Sequence, residues 1–204
     1  MSNALAIATV TGALYELLRG VVHAVPGSSG EPELPETDIT RKPLDLARDS
    51  EANSQLNLFL YQISPNAADS NGRSDAKPLP LSLNLHYLLT AYGKDGDDLL
   101  AHRLLGRAVR ALHDQPVLGS GRISDAIKTY PELAGGDLHL QKEHIRITPL
   151  PLSMDELTKL WGACHGRYRL SLAYQVTVVF IDSTLPAIQA KPVAVRQLTV
   201  APDR

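Results

Sequence analysis

Residues 168–182, YRLSLAYQVTVVFID, form the longest uninterrupted run of β character in the chain, without a glycine or a proline. Alternation places Leu170, Leu172, Tyr174, Val176, Val178 and Phe180 on one face, while the other begins with Arg169 and Ser171 and turns apolar through Val179 and Ile181. A strand that starts one-sided and ends apolar on both faces is expected to run from a sheet margin into the sheet centre. At about 3.3 Å per residue it would reach roughly 45–50 Å and needs long partners. Two segments offer them. Residues 55–63, QLNLFLYQI, alternate Leu56, Leu58 and Leu60 against Asn57, Phe59 and Tyr61, and residues 81–92, LSLNLHYLLTAY, put Leu81, Leu83, Leu85, Tyr87 and Leu89 on one face. They are expected to pair antiparallel through residues 64–80, a connection holding Asn71-Gly72, Pro65, Pro78 and Pro80.

The pattern changes to a helical period elsewhere. Near the N-terminus Leu5, Val10, Leu14, Leu17, Leu18 and Val21 make one stripe, with Ser2 or Asn3 as the cap. Asp97 caps a second helix through about Asp114, its buried side formed by Leu100, Leu104, Leu105, Ala108, Val109 and Leu112, and Pro116 stops it. A shorter helix follows at residues 120–130, ended by Pro131 and Gly135-Gly136. Ser153 and Glu156 have capping-box spacing, so a short helix is expected to run to Trp161 or Gly162. Weaker strands are read at residues 38–46, which carry Pro43, and 143–150, which carry Pro149; both belong near sheet edges. The sum is an α/β (α+β) sandwich: a mixed, mainly antiparallel sheet flanked by helices over residues 1–182. Residues 183–204 form a linker and a C-terminal β-arm, VAVRQLTV at 193–200, which has no loop back into the domain.

Bulk properties narrow the partners. The chain has 204 residues, enough for one self-sufficient core. Its formal charge of -2 gives no electrostatic case for nucleic acid or for an anionic membrane. The single cysteine, Cys164, excludes an internal disulfide. The N-terminal stretch lacks a basic region, and Tyr15, Glu16 and Arg19 interrupt its apolar run, so it reads as a helix and not as a signal peptide; synthesis and residence in the cytoplasm are expected.

Reactive constellations are scarce. The histidines at 23, 86, 102, 113, 139, 144 and 165 form neither an i, i+4 pair nor an HExxH motif, so no metal is expected. Cys164-His165 places a thiol beside a base in sequence, but catalysis needs them to face each other in space. Gly119-Ser120-Gly121 has no lysine of a phosphate loop, and no GxGxxG lies between a strand and a helix, so no nucleotide cofactor is expected. Asp97-Asp98 and Asp155-Glu156 are explained as helix starts. Arg103, Arg107 and Arg110 line one side of the second helix, either as a solvated face or as a docking face for an acidic partner.

Six ordered blocks then carry a resemblance: SNALAIATVTGAL, LNLFLYQISPNAA, LPLSLNLHYLLTAYG, AHRLLGRAVRALHDQPVL, IRITPLPLSMDELTKLW and YRLSLAYQVTVVFIDS. Over residues 1–185 the chain resembles the cap, or tail-terminator, proteins of phage-tail-like contractile injection systems, of the N-terminal-domain type. That resemblance implies a tail-terminator-like fold and a structural, non-enzymatic part: a six-fold homo-hexameric ring at the distal end of the particle. Such a ring terminates the inner tube and anchors the sheath. Its implied partners are the sheath protein and the inner tube protein, in a particle that is released or tethered.

Sheath subunits of such systems lend terminal arms to neighbouring sheets, so the resemblance makes Val193, Val195, Arg196, Leu198 and Val200 candidate interface residues, beside Arg103, Arg107 and Arg110. The alternative for the arm is that it folds back on its own domain. For the whole chain the competing reading is a sheath/tube connector elsewhere in the same particle, against which stands the lack of a long mainly-β tube pattern. An enzyme would require a cleft with paired carboxylates or an activated nucleophile.

Overall fold

The computed structural model describes residues 3–22, 34–48, 52–66 and 80–185. Four helices, α1 (Ala6–Val22), α2 (Asp98–Asp114), α3 (Ser120–Thr129) and α4 (Met154–Ala163), pack on a single sheet of six strands. These are β1 (Thr37–Thr40), β2 (Ser54–Pro65), β3 (Leu81–Tyr92), β4 (Val117–Leu118), β5 (Ile145–Leu150) and β6 (Ser171–Ile181). The order across the sheet is β1-β2-β3-β6-β5-β4. Only β1 and β2 run parallel; every other neighbouring pair is antiparallel. The expected mixed, mainly antiparallel sheet is therefore present, and β4, a two-residue strand, is the element the sequence pattern did not show.

The long strand reads differently from its simple alternation. Between the pairs Leu83↔Val179 and Leu85↔Val176, β3 advances two residues while β6 advances three. This bulge changes the facing parity, so that Tyr174, Val176 and Val179 all join the main core, with Ile181 packed against it. Val178 and Phe180 leave that face, which corrects their expected grouping with Tyr174. The backbone of both meets Gln141, whose Nε2 donates to the Val178 carbonyl at 2.9 Å and whose Oε1 accepts from the Phe180 N–H at 3.1 Å. A second irregularity, between Leu60 and Gln62, interrupts β2 opposite β3. The start of the long strand also differs: Leu170 and Leu172 are 51% and 40% exposed, at the margin of the sheet.

The expected strand at 38–46 stops at Thr40, and the reason is local. Asn57, fully buried on β2, accepts from the Thr40 hydroxyl at 2.7 Å and the Lys42 N–H at 3.0 Å, and donates to the Lys42 carbonyl at 2.9 Å. One side chain thus satisfies the backbone that a sheet ladder would otherwise have used, and Pro43 ends the extension. Gln55 reinforces the turn by donating to the Thr40 hydroxyl and the Ala47 carbonyl.

Helices α1, α2 and α3 form the layer on one face, where Val10, Leu14, Leu17 and Leu18 of α1 meet Leu85, Tyr87 and Leu89 of β3 in the main core. Each such aliphatic side chain contributes about 1.5–3 kcal/mol by leaving water. The other face carries a smaller cluster of Leu44, Leu88, Leu157, Trp161 and Ala173, closed by α4. Leu88 and Leu89 point to opposite faces and are both 0% exposed, which places β3 in the middle of a three-layer sandwich. Caps fix the helix starts: Asn3 Oδ1 accepts from Leu5 N–H before α1, and Ser153 and Glu156 form the complete capping box of α4.

Candidate functional site

A cleft with a volume of about 300 Å³ lies where the start of α2 approaches the end of α4. Strand β3 ends at Tyr92, and Gly93 then turns the chain so tightly that a Cβ there would overlap the Asp97 carbonyl oxygen. The turn continues through Asp95 at φ 53° and Gly96 at φ 78°. Asp97 Oδ1 then caps α2 by accepting from Leu99 N–H at 2.9 Å and Leu100 N–H at 3.2 Å. Asp98 and Ala101 form one wall of the cleft. The other is built from Leu44 and Asp45, from Trp161 near the end of α4, and from the turn at His165 and Gly166.

Three guanidinium groups face this space. Arg48 donates to the Asn53 carbonyl at 2.9 Å and the Gly93 carbonyl at 3.0 Å, and lies 5.4 Å from the Tyr92 ring centroid. Arg169 stands 3.6 Å from Asp98, with both side chains largely in solvent. Arg167 is exposed and has no ion-pair partner among the described residues. Burial raises the Tyr92 phenol, and Arg169 and Arg48 pull against that rise. Trp161 is 2% exposed, and its indole N–H has no acceptor among the described residues. Its ring meets Tyr168 edge-on at 6.3 Å, and the Tyr168 hydroxyl reaches Met154 Sδ at 3.7 Å.

Burial, and behind it the carboxylate of Asp45, push the Cys164 thiol up from its ordinary value, away from the thiolate that would attack a substrate. Among the described residues no cluster of three or more His, Cys, Asp or Glu is placed to hold a metal ion, and no helix is long and apolar enough to cross a membrane.

Of the residues singled out from sequence, Arg103 and Arg110 are exposed and Arg107 is half-buried. They lie on the side of α2 opposite Ala101, Leu104, Leu105, Ala108, Ala111 and Leu112. They are not part of the cleft. Val193, Val195, Arg196, Leu198 and Val200 lie outside the described residues. Sequence reasoning missed Arg48, Tyr92, Arg167 and Arg169, which come from three separate segments; the only local signal was the cationic GRYR run after α4.

Residues 9–194 match the family model described as the Pvc16 N-terminal domain. No curated protein is a significant match to the chain. Among solved structures, the chain is similar to the PVC sheath/tube terminator of an extracellular contractile injection system in its extended state. The identity is 18% and the TM-score 0.60, over 97% of this chain and 64% of that one. It is also similar to the tube-terminating cap of the anti-feeding prophage, at 19% identity and TM-score 0.56, over 94% of this chain and 60% of that one. The chain thus spans somewhat under two thirds of the length of either structure.

Proposed function

The chain belongs to the Pvc16 N-terminal domain family, and from that membership we propose that it is a structural terminator of a contractile injection system, terminating the inner tube and anchoring the distal end of the sheath. The observation that carries this reading is a shared fold along nearly the whole chain with a protein described as a sheath/tube terminator. The described surface supports it: the cleft between α2 and α4 is lined by arginines and aromatics, the residue types of protein contacts, and the one thiol is unactivated.

The working unit is a homo-hexameric ring, with the sheath and tube proteins as partners and no small-molecule substrate. The 193–200 segment completes a sheet in an adjoining subunit. Light scattering on the purified chain tests the ring: a hexamer, alone or on adding tube protein, is expected. Electron microscopy of particles from cells lacking the chain tests the role. Particles that are absent, unstable or of uncontrolled length are expected, and capped particles of normal length would overturn it.

A further inference from the structure

We propose that the cleft between the start of α2 and the end of α4 seats a carboxylate side chain from an acidic segment of an assembly partner, held by Arg167 and Arg169 against the wall formed by Trp161 and Tyr92. Formal charges in the lining support this occupant. Arg48, Arg167 and Arg169 face only Asp45 and Asp98, which leaves one cation in excess.

Geometry sharpens that excess. Arg48 is fixed by two carbonyl oxygens and so brings a stationary positive charge without a carboxylate of its own. Asp98 is loosely engaged with Arg169 at 3.6 Å in an exposed pair, which an incoming carboxylate can replace at little loss. Asp45 lies in the wall built from Leu44 and Trp161, and its charge also acts on Cys164. Arg167 is left as the group with which a carboxylate can form a two-pronged, charge-assisted contact. Tyr168, 42% exposed against the Trp161 ring, and Met154, 60% exposed and in reach of the Tyr168 hydroxyl, extend that wall outward. Arginine, tyrosine and tryptophan around a partly enclosed cleft are the composition of a binding hot spot.

The inference deepens the terminator reading and rests on it only for the class of partner, another protein of the particle. Trp161 is the single tryptophan of the chain and sits in the cleft wall, so its emission reports occupancy. The full chain is titrated at low ionic strength with a capped hexaglutamate peptide, a capped hexalysine peptide and inorganic phosphate. A saturable change with hexaglutamate alone is expected, weakened at least tenfold in Arg167→Glu and several-fold in Arg167→Gln, both with unchanged circular dichroism. No saturable change, an equal response in both variants, or an equal response to phosphate would overturn the assignment. Ring formation and particle length are read separately, so failure of this titration is distinguishable from failure of the terminator reading.

Discussion

The backbone of Gly166 passes so close to the indole of Trp161 that a Cβ at residue 166 would stand 2.8 Å from Cε3. The ring cannot retreat, because Trp161 is buried beside Leu44, Leu88, Leu157 and Ala173. Glycine is required here by space, not by backbone angle. Gly166→Ala should therefore cost about 1–3 kcal/mol, the usual penalty for overpacking a filled site, and shift Trp161 emission. Gly93→Ala should cost more, since its Cβ would meet backbone at Asp97. Urea unfolding followed by tryptophan fluorescence checks both, and an unchanged midpoint for Gly166→Ala would contradict the packing described.

The cap of α2 gives a cleaner test, because it positions the cleft wall. Asp97→Ala removes the acceptor for two N–H groups and should destabilise the chain by about 1 kcal/mol, while Asp97→Asn should retain most of the stability. Thermal unfolding of the two variants separates loss of the cap from loss of charge.

Alkaline stability should be governed by tyrosines. Burial raises the phenols of Tyr61, Tyr87, Tyr92, Tyr130 and Tyr174. At Tyr130 the hydroxyl also donates to Glu16 at 2.6 Å, and that bond and the carboxylate's charge add to the rise. At Tyr87 the hydroxyl lies 2.8 Å from Thr11 Oγ1, an interaction that slightly opposes the effect of burial. A phenol raised in the folded state favours folding below its unfolded value of about 10, and that contribution is lost as pH climbs above it, because the unfolded chain releases the proton first. Stability should thus fall with pH above about 10. Tyr87→Phe and Tyr130→Phe should each flatten the decline. Denaturation midpoints measured across that range check the sign.

Much of the framework was legible because its signals are local. Asp97, Ser153 and Glu156 announce their helix starts within a few residues, and the bounds of β3 follow from alternation alone. The bulge in β6 was not legible: residues 176–181 are nearly all apolar, so no polar position marks where parity changes. The turn after β1 was hidden for another reason, since it depends on Asn57, some fifteen residues away. The cleft depended on closure of the whole sheet, which brings residues 44–48, 92–98 and 161–169 together; only the arginines of α2, one turn apart on a helix, formed a pattern that spacing could reveal.

Those arginines provide the last test. Arg103 and Arg110 project from the side of α2 away from its core residues, so reversing both charges should leave the domain folded, as circular dichroism would show. If that helix face meets an acidic surface of the tube or sheath, Arg103→Glu with Arg110→Glu should reduce incorporation into particles several-fold and lower the salt sensitivity of assembly. Removing residues 191–204 should act differently, abolishing sheath anchoring while leaving the described domain folded, because among the described residues the main core ends at Val179, with Ile181 packed against it. Particle pull-down at two salt concentrations distinguishes the two. Normal incorporation of the doubly reversed variant would remove α2 from the interface, and normal capping by the truncated chain would mean that the arm serves its own domain.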